Sequence, residues 1–423
     1  MKNPLTWLSR RRFPYQPLIA VKISREALLH NLAQFAKLAP NGIIAPVLKS
    51  NAYGHGLLEI AEILERFRIE ARRTQNVSTT IIPFFIVDSY FEAVALRARG
   101  IRTPLLVIGY TRPETIAASR LKEVSFTVTS IDTLKSLAKI SARRSSSTLL
   151  SLFSLLLSPY SLLFTHYSLH IKIDTGMHRQ GILPEEVAEA ISILKNNRRL
   201  SAKGICSHLS DADNPDPTFT KKQIHMWNSL VLDFKTNFPS LQFIHLSATD
   251  GHTFANEIKA NVSRLGIGLY GLSENESLNS RLQLKPVLSM STILTSIKSL
   301  KRGEAVGYDN TFVADRDMVI TTIPVGYFEG LDRRLSSGPD GKACSFVQVG
   351  PEMKSCPIIG RISMNISTID VSSVPKAKTG MSVTVISADP AAPNSIRNIA
   401  RSCDLITYEF VVKIPGHLRR VVE

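Results

Sequence analysis

A chain of 423 residues is too long for one ordinary domain and points to two. Its 44% apolar share is that of a globular protein able to bury a large core. The net charge of +16 is dispersed rather than gathered into one tract, so no nucleic-acid or other polyanion partner is expected; a basic funnel would instead favour an anionic cofactor or an amino-acid carboxylate.

The first twenty residues read as a basic extension, with Trp7 and Leu8 followed at once by Arg10, Arg11 and Arg12 and no apolar core behind them. No signal peptide is expected. From Ile19 to Ser50 the pattern is strand, helix, strand: Ser24 suits a helix N-terminus, Leu28, Leu32, Phe35 and Leu38 recur at helical spacing, and Pro40 with Gly42 ends the run.

Apolar runs then recur at 83–87, 104–108, 124–128, 169–173, 202–206, 241–246 and 262–269, separated by amphipathic stretches such as 91–98 and 131–140. Counted from Ile43 these are eight buried strands with helices between them. That arithmetic predicts a (β/α)8 barrel over residues 21–272. A doubly wound sheet, the runner-up, would show fewer strands and a glycine-rich fingerprint after the first.

Residues 141–167 interrupt the alternation with Arg143, Arg144, a serine run and a Leu, Ser and Phe tract containing Pro159. The tract is shorter than the roughly 20 residues a membrane-spanning helix needs, so it is expected to be a surface insertion with no stable membrane insertion. From 273 to 423 the segments become short and β-branched between Gly, Pro and Asp turns, at 287–292, 319–323, 346–349, 367–371 and 382–386. They predict a β-rich second domain.

Cys206, Cys344, Cys356 and Cys403 form no CxxC pair and have no metal-ligand spacing. No metal is expected, and free thiols fit a reducing cytoplasm.

The stretch with the clearest chemistry is VLKSNAYGHG, 47–56. Lys49 ends an apolar run and opens a glycine-containing loop, which places its ammonium at a strand mouth, half desolvated. Desolvation lowers an amine's pKa and suits it to Schiff-base chemistry; taken alone, Lys49 also reads as a lysine snorkelling from a strand end. In a barrel, the ends of five strands would bring Lys49, Arg179, His208, Thr249 and Arg264 together, because barrel sites are built at the carboxyl ends of the strands.

VLKSNAYGHG resembles the pyridoxal-phosphate lysine motif of the alanine racemases, and further similar pieces follow in order. They are KIDTGMHRQGI from Lys172, SHLSDAD from Ser207, RLGIGLYGL from Arg264, AVGYDNTF from Ala305, IPVGYFEGLDRR from Ile323, GRISMN from Gly360 and TYEFVVKIPGHLRR from Thr407. The resemblance implies the same barrel, a pyridoxal 5'-phosphate cofactor and a homodimeric isomerase. Its activity would interconvert L-alanine and D-alanine in the cytoplasm, the D form supplying cell-wall peptidoglycan.

By that resemblance Lys49 carries the cofactor and exchanges the α-proton on one face, while Tyr308, supplied in trans by the partner subunit, serves the other. His208 and Arg264 would support the tyrosine, whose ordinary pKa of about 10 makes it a poor base unless positive charge lies near. Arg264 would also face the pyridine nitrogen and keep it unprotonated, restraining the carbanion and favouring racemisation over transamination. Alone, His208 reads as a core histidine and Arg264 as a salt-bridging arginine.

Tyr53, Thr249, Gly266, Ile267 and Tyr408 match phosphate contacts, although TYEFVVKIP could equally be a β-strand. Arg179 and the backbone amide of Met364 match the positions binding the substrate carboxylate, and Lys172 matches a lysine that orients that arginine. Asp213, Tyr327, Arg333 and Arg361 match an entry corridor.

This sequence departs from the family pattern at Asn365, where aspartate is usual, at Ala248 for asparagine and at His178 for glycine. Asn365 motivates one alternative, a broader racemase acting on serine, lysine or arginine. The other alternative is a pyridoxal-phosphate-binding homologue without turnover, which a second domain carrying Tyr308 argues against.

Overall fold

The computed structural model describes residues 16–73, 81–146, 166–337 and 345–423. The expected basic extension of residues 1–20 and the insertion of residues 141–167 lie largely outside these. The chain divides into two compact units, residues 27–285 and residues 1–26 with 286–423.

The first strand, β1 (Ala20–Ile23), belongs to the second unit. The next eight build the first: β2 (Ile44–Pro46), β3 (Phe85–Val87), β4 (Leu105–Val107), β5 (Val124–Val128), β6 (Tyr167–Lys172), β7 (Leu200–Cys206), β8 (Phe243–His245) and β9 (Ser263–Leu265). β3 to β8 pair in order as one parallel sheet, and β2 pairs in parallel with β9. Parallel bridges from Ile43 to Ile81 and from Val47 to Ile86 join β2 to β3. Backbone bonds from Val262 to Ile244 (3.3 Å) and from Arg264 to Ser247 (3.1 Å) join β9 to β8. The ring closes, and the expected eight-stranded barrel is present.

Several barrel strands are short and buried at every position, as in Phe85–Val87 and Leu105–Val107. Both their faces are covered, which demands a continuous apolar run rather than alternation. After α1 (Arg25–Ala36), helices α2 (Leu57–Arg73), α3 (Tyr90–Ala98), α4 (Pro113–Ala118), α5 (Ile131–Ser146), α6 (Val187–Lys195) and α7 (Thr218–Asn237) connect successive strands from β2 to β8. A single short 3-10 turn, Asp250–Phe254, lies between β8 and β9.

The second unit is built on a nine-stranded sheet in the order β11-β14-β17-β16-β15-β18-β10-β1-β19. Here β10 is Leu288–Ile293, β11 Ser296–Leu300, β14 Met318–Ile323, β15 Phe346–Val349, β16 Lys354–Ile359, β17 Ser367–Asp370, β18 Ser382–Ile386 and β19 Arg420–Val422. A separate hairpin, β12 (Ala305–Val306) with β13 (Phe312–Val313), carries Tyr308 at its tip.

Two features differ from the sequence reading. β1 pairs with β10 antiparallel and with β19 in parallel, so it extends this sheet rather than the barrel. Its buried Val21 and Ile23 alternate with half-buried Ala20 and Lys22, the pattern of a strand with one covered face. The segment TYEFVV, which could have been a strand, is a helix, α8 (Thr407–Val412). Among the described residues no helix is long and apolar enough to cross a membrane.

Candidate active site

Lys49 stands three residues past the end of β2 and is half-buried. The chain beyond it makes a left-handed turn, with φ of 57°, 56°, 52° and 51° at Ser50, Asn51, Ala52 and Tyr53, closed by Gly54 at 80°. Such a conformation costs L-residues roughly 1–2 kcal/mol each, so bonds around the turn must hold it. Ala52 N donates to Leu48 O (2.8 Å), Gly56 N to Asn51 O (2.9 Å), and Leu57 N to the Asn51 side chain (2.9 Å). His55, fully buried, directs Nδ1 to the carbonyls of Ala52 and Tyr53 and stacks on Tyr270 at 4.4 Å.

The turn delivers Tyr53 inward, where it is buried against Tyr270. Burial raises the Tyr53 phenol's pKa, opposed by the charge of Arg264. It stays protonated and can donate. A methyl group placed on Gly266 would lie 2.9 Å from the Tyr53 hydroxyl and 3.8 Å from Thr249 Oγ1. Thr249 Oγ1 in turn accepts from Gly268 N at 3.1 Å. Two hydroxyls thus converge on a backbone stretch with no side chain, just ahead of the 3-10 turn Ile267–Tyr270. That small cradle of donors fits a phosphate group, which needs donors without bulk.

Arg264 in β9 is buried. One terminal nitrogen donates to His245 Nδ1 (2.8 Å) and His245 O (2.9 Å); the other donates to Ser207 O (2.7 Å), Leu246 O (2.7 Å) and His208 Nδ1 (3.1 Å). Among the described residues these partners are carbonyls and imidazoles, which answers the salt-bridge alternative. Burial lowers the Arg264 pKa from its ordinary value, yet an arginine remains a cation in that surrounding.

Because the guanidinium can only donate, His208 and His245 must accept at Nδ1 and carry their protons on Nε2. His245 Nε2 then donates to His170 Nδ1 at 2.8 Å, which extends the chain into the barrel interior. Burial first, and the Arg264 charge second, holds all three imidazoles neutral: His170 is pushed down to about 3, and His208 and His245 lie well below the usual range.

Lys172 ends β6, with its pKa lowered by burial and by Arg264 and Arg179, opposed by Cys206 and Asp174. Arg179 is exposed, on a loop held by Asp174, whose carboxylate accepts from Gly176 N (2.9 Å) and His178 N (3.1 Å). His178 adopts φ 52°, the left-handed region that favours glycine. Asp213 lines a separate cavity of ≈ 550 Å³ in the barrel unit.

In the β-rich unit, Tyr308, Tyr327, Arg333 and Met364 line one cavity of ≈ 810 Å³. Tyr308 is 65% exposed and Met364 55%. Arg361 pairs with Asp309 at 2.7 Å, next to Tyr308. Asn365 donates to Glu329 at 2.7 Å, and the other oxygen of that carboxylate accepts from Gly326 N at 2.9 Å. Tyr408 stands half-buried on α8 and is not among the residues lining that cavity.

Sequence reasoning missed His170, His245, Gln223 and Glu92. Gln223 on α7 is buried and holds the loop bearing His208, accepting from Ser210 N (3.0 Å) and donating to His208 O (3.3 Å). Its only signal is a large polar residue on a largely apolar helix stripe that also carries Thr220.

Residues 23–274 match the family model for the alanine racemase N-terminal domain, and residues 287–422 match that for the C-terminal domain. The chain belongs to the alanine racemase family. It is 31% identical over 416 residues to an alanine racemase of Lactobacillus acidophilus, covering 96% of this chain and 98% of that one. It is 30% identical over 407 residues to one of Methanococcus maripaludis, covering 95% and 98%. A solved alanine racemase from Bacillus anthracis with bound L-Ala-P superposes with a TM-score of 0.78 at 25% identity, over 97% of this chain and 96% of that chain. One from Streptomyces lavendulae gives 0.79 at 21% identity, over 97% and 98%. The alanine racemase fold thus accounts for both units, and the chain is an isomerase of that family.

Proposed function

We propose that this alanine racemase homologue interconverts L-alanine and D-alanine with pyridoxal 5'-phosphate, as a cytoplasmic homodimer supplying D-alanine for peptidoglycan. The observation that supports it most is a buried cation, Arg264, whose partners are carbonyls and neutral imidazoles, on the strand beside the one that leads to Lys49.

The cofactor, when bound, would supply the conjugated ring that makes the α-proton removable. The cradle of Tyr53, Thr249, Gly266 and Ile267 would hold its phosphate, Lys49 would anchor it, and Arg264 would face its ring nitrogen as a fixed cation. Lys49 Nζ exchanges the α-proton on one face, and the Tyr308 hydroxyl of the partner subunit exchanges it on the other. By the family resemblance His208, bonded to Arg264 at 3.1 Å, would support that tyrosine. Arg179, set by Lys172, and the Met364 amide orient the substrate carboxylate. By the family resemblance Tyr327, Arg333 and Arg361 would narrow the entrance, Asp213 being assigned there by the resemblance alone, and Tyr408 would add a phosphate contact.

Exposure of Tyr308 and Met364 suits a surface that a second copy covers. The dispersed charge gives no reason to add a nucleic-acid partner.

The test is an absorption spectrum of the purified protein with borohydride reduction and peptide mapping, while the optical signal of L-alanine is followed. A cofactor trapped on Lys49 with decay of the signal to zero is expected. A trapped cofactor without decay would favour the non-catalytic homologue, and no cofactor after reconstitution would overturn the reading. A second reading, broader specificity, draws on the Asn365 amide bound to Glu329, which leaves the entrance one carboxylate short of the usual family pattern. Faster turnover of serine, lysine or arginine than of alanine would favour it.

A further inference from the structure

The left-handed turn after Lys49 is held at its far end by its own bonds. Its first amide is held from outside. Ser50 N, the amide of the Lys49–Ser50 peptide, donates to Glu92 Oε1 at 2.7 Å across 42 residues of sequence.

Glu92 lies in the first turn of α3, where it completes a capping box with Ser89. An ordinary capping-box glutamate reaches back only to the N-cap amide. This one does more: its Oε2 accepts from Ser89 N (3.2 Å) and Asp88 N (2.8 Å), while Oε1 is given to Ser50. Asp88 directly follows β3, the strand beside β2 in the barrel, and Leu48 N donates to Ile86 O of that strand at 2.7 Å. A single carboxylate therefore ties the peptide leaving Lys49 to the adjacent strand end and to a helix N-terminus.

A residue with φ of 57° at Ser50 persists only when its surroundings fix it. The bonds at Asn51, Ala52 and His55 fix the later residues and Gly54 N donates to Ser50 O at 3.2 Å, whereas the Ser50 amide is held by Glu92. We infer that Glu92 is a positioning residue for Lys49: its carboxylate sets the direction in which the chain leaves the lysine, and so the orientation of the amine and of Tyr53 four residues on. This rests on the reading of Lys49 as the cofactor-bearing amine.

The test compares Glu92→Gln with Ser89→Ala in the full-length protein. Gln keeps the size but has one accepting oxygen, so it cannot serve Ser50 and the cap together. Ser89→Ala weakens the same helix cap and leaves the Ser50 contact. Two readouts are taken: the dissociation constant for added pyridoxal phosphate, and amide hydrogen exchange of residues 50–56 in the cofactor-free protein.

Loss of one charge-assisted bond should weaken cofactor binding and speed exchange by about tenfold or more in Glu92→Gln. Ser89→Ala should stay within about twofold of wild type on both readouts. Glu92→Gln behaving like Ser89→Ala on both would overturn the inference. If the wild type binds no pyridoxal phosphate, the functional reading fails on its own, and the exchange readout alone decides the role of Glu92. Should Glu92→Gln fail to fold, the wild-type Ser50 amide decides: protection matching that of Ala52 supports the inference, and exchange at the rate of an open loop contradicts it.

Discussion

The barrel end and the cavity of the β-rich unit carry opposite kinds of functional group. In the barrel, Arg264 and Tyr53 are buried, and Arg264 is tied to carbonyls and imidazoles that are themselves bonded onward. In the β-rich unit, Tyr308, Tyr327 and Met364 stand exposed around their cavity, with Tyr308 at the tip of a two-stranded hairpin. A group that must hold one charge state has to be enclosed. On the proposed function Tyr308 enters another subunit's site, and such a group has to be left outside.

The contrast can be broken most sharply by Tyr308→Phe. Removing the exposed hydroxyl should lower turnover about 10²–10⁴-fold, the range for loss of a general acid or base. Melting temperature and secondary structure should hardly move, and steady-state kinetics beside a thermal melt would report both.

Arg264→Leu should do the reverse in part. Besides lowering turnover, it strands several carbonyls and two imidazoles in a buried site, with an expected loss of about 3–5 kcal/mol in a urea titration.

Acid sharpens the same difference. A histidine held neutral binds fewer protons folded than unfolded, so stability falls as pH drops below the unfolded pKa near 6.5, and for His170 continues to fall until about 3. Each such histidine should remove about 2 kcal/mol between pH 7.5 and pH 5. Chemical denaturation at the two pH values measures it, and the slope should shrink in His170→Gln relative to wild type.

The smallest expected effect is at His178, whose φ of 52° glycine would adopt freely. His178→Gly relieves strain but loosens the unfolded chain, so stability should rise by no more than about 1 kcal/mol in a thermal melt.

Much of this was legible in the sequence because barrel strands are short, wholly apolar and separated by helices. Lys49, Arg179, His208, Thr249 and Arg264 could be assigned to strand ends from that rhythm alone. What could not be read were partners set by the third dimension. Nothing in the sequence links Ser50 with Glu92, Gln223 with His208, or Arg264 through His245 to His170, because each pair meets only when the barrel closes. The alternation of Ala20–Ile23 did carry the signal that β1 lies in a sheet with one covered face, but the helix and strand that follow it suggested the barrel instead. Tyr408 shows the opposite limit: TYEFVV is rich in residues that favour strands, yet packs Thr407, Phe410 and Val411 on one side of a short helix.

The central claim, a site completed by a second copy, is tested most directly by mixing Lys49→Ala with Tyr308→Phe, each inactive alone, under conditions that exchange subunits. Random pairing leaves half the dimers mixed, each with one intact site, so activity should recover to about a quarter of wild type. No recovery, with mixed dimers demonstrated by native mass spectrometry, would contradict the claim and place Lys49 and Tyr308 in the same chain's site.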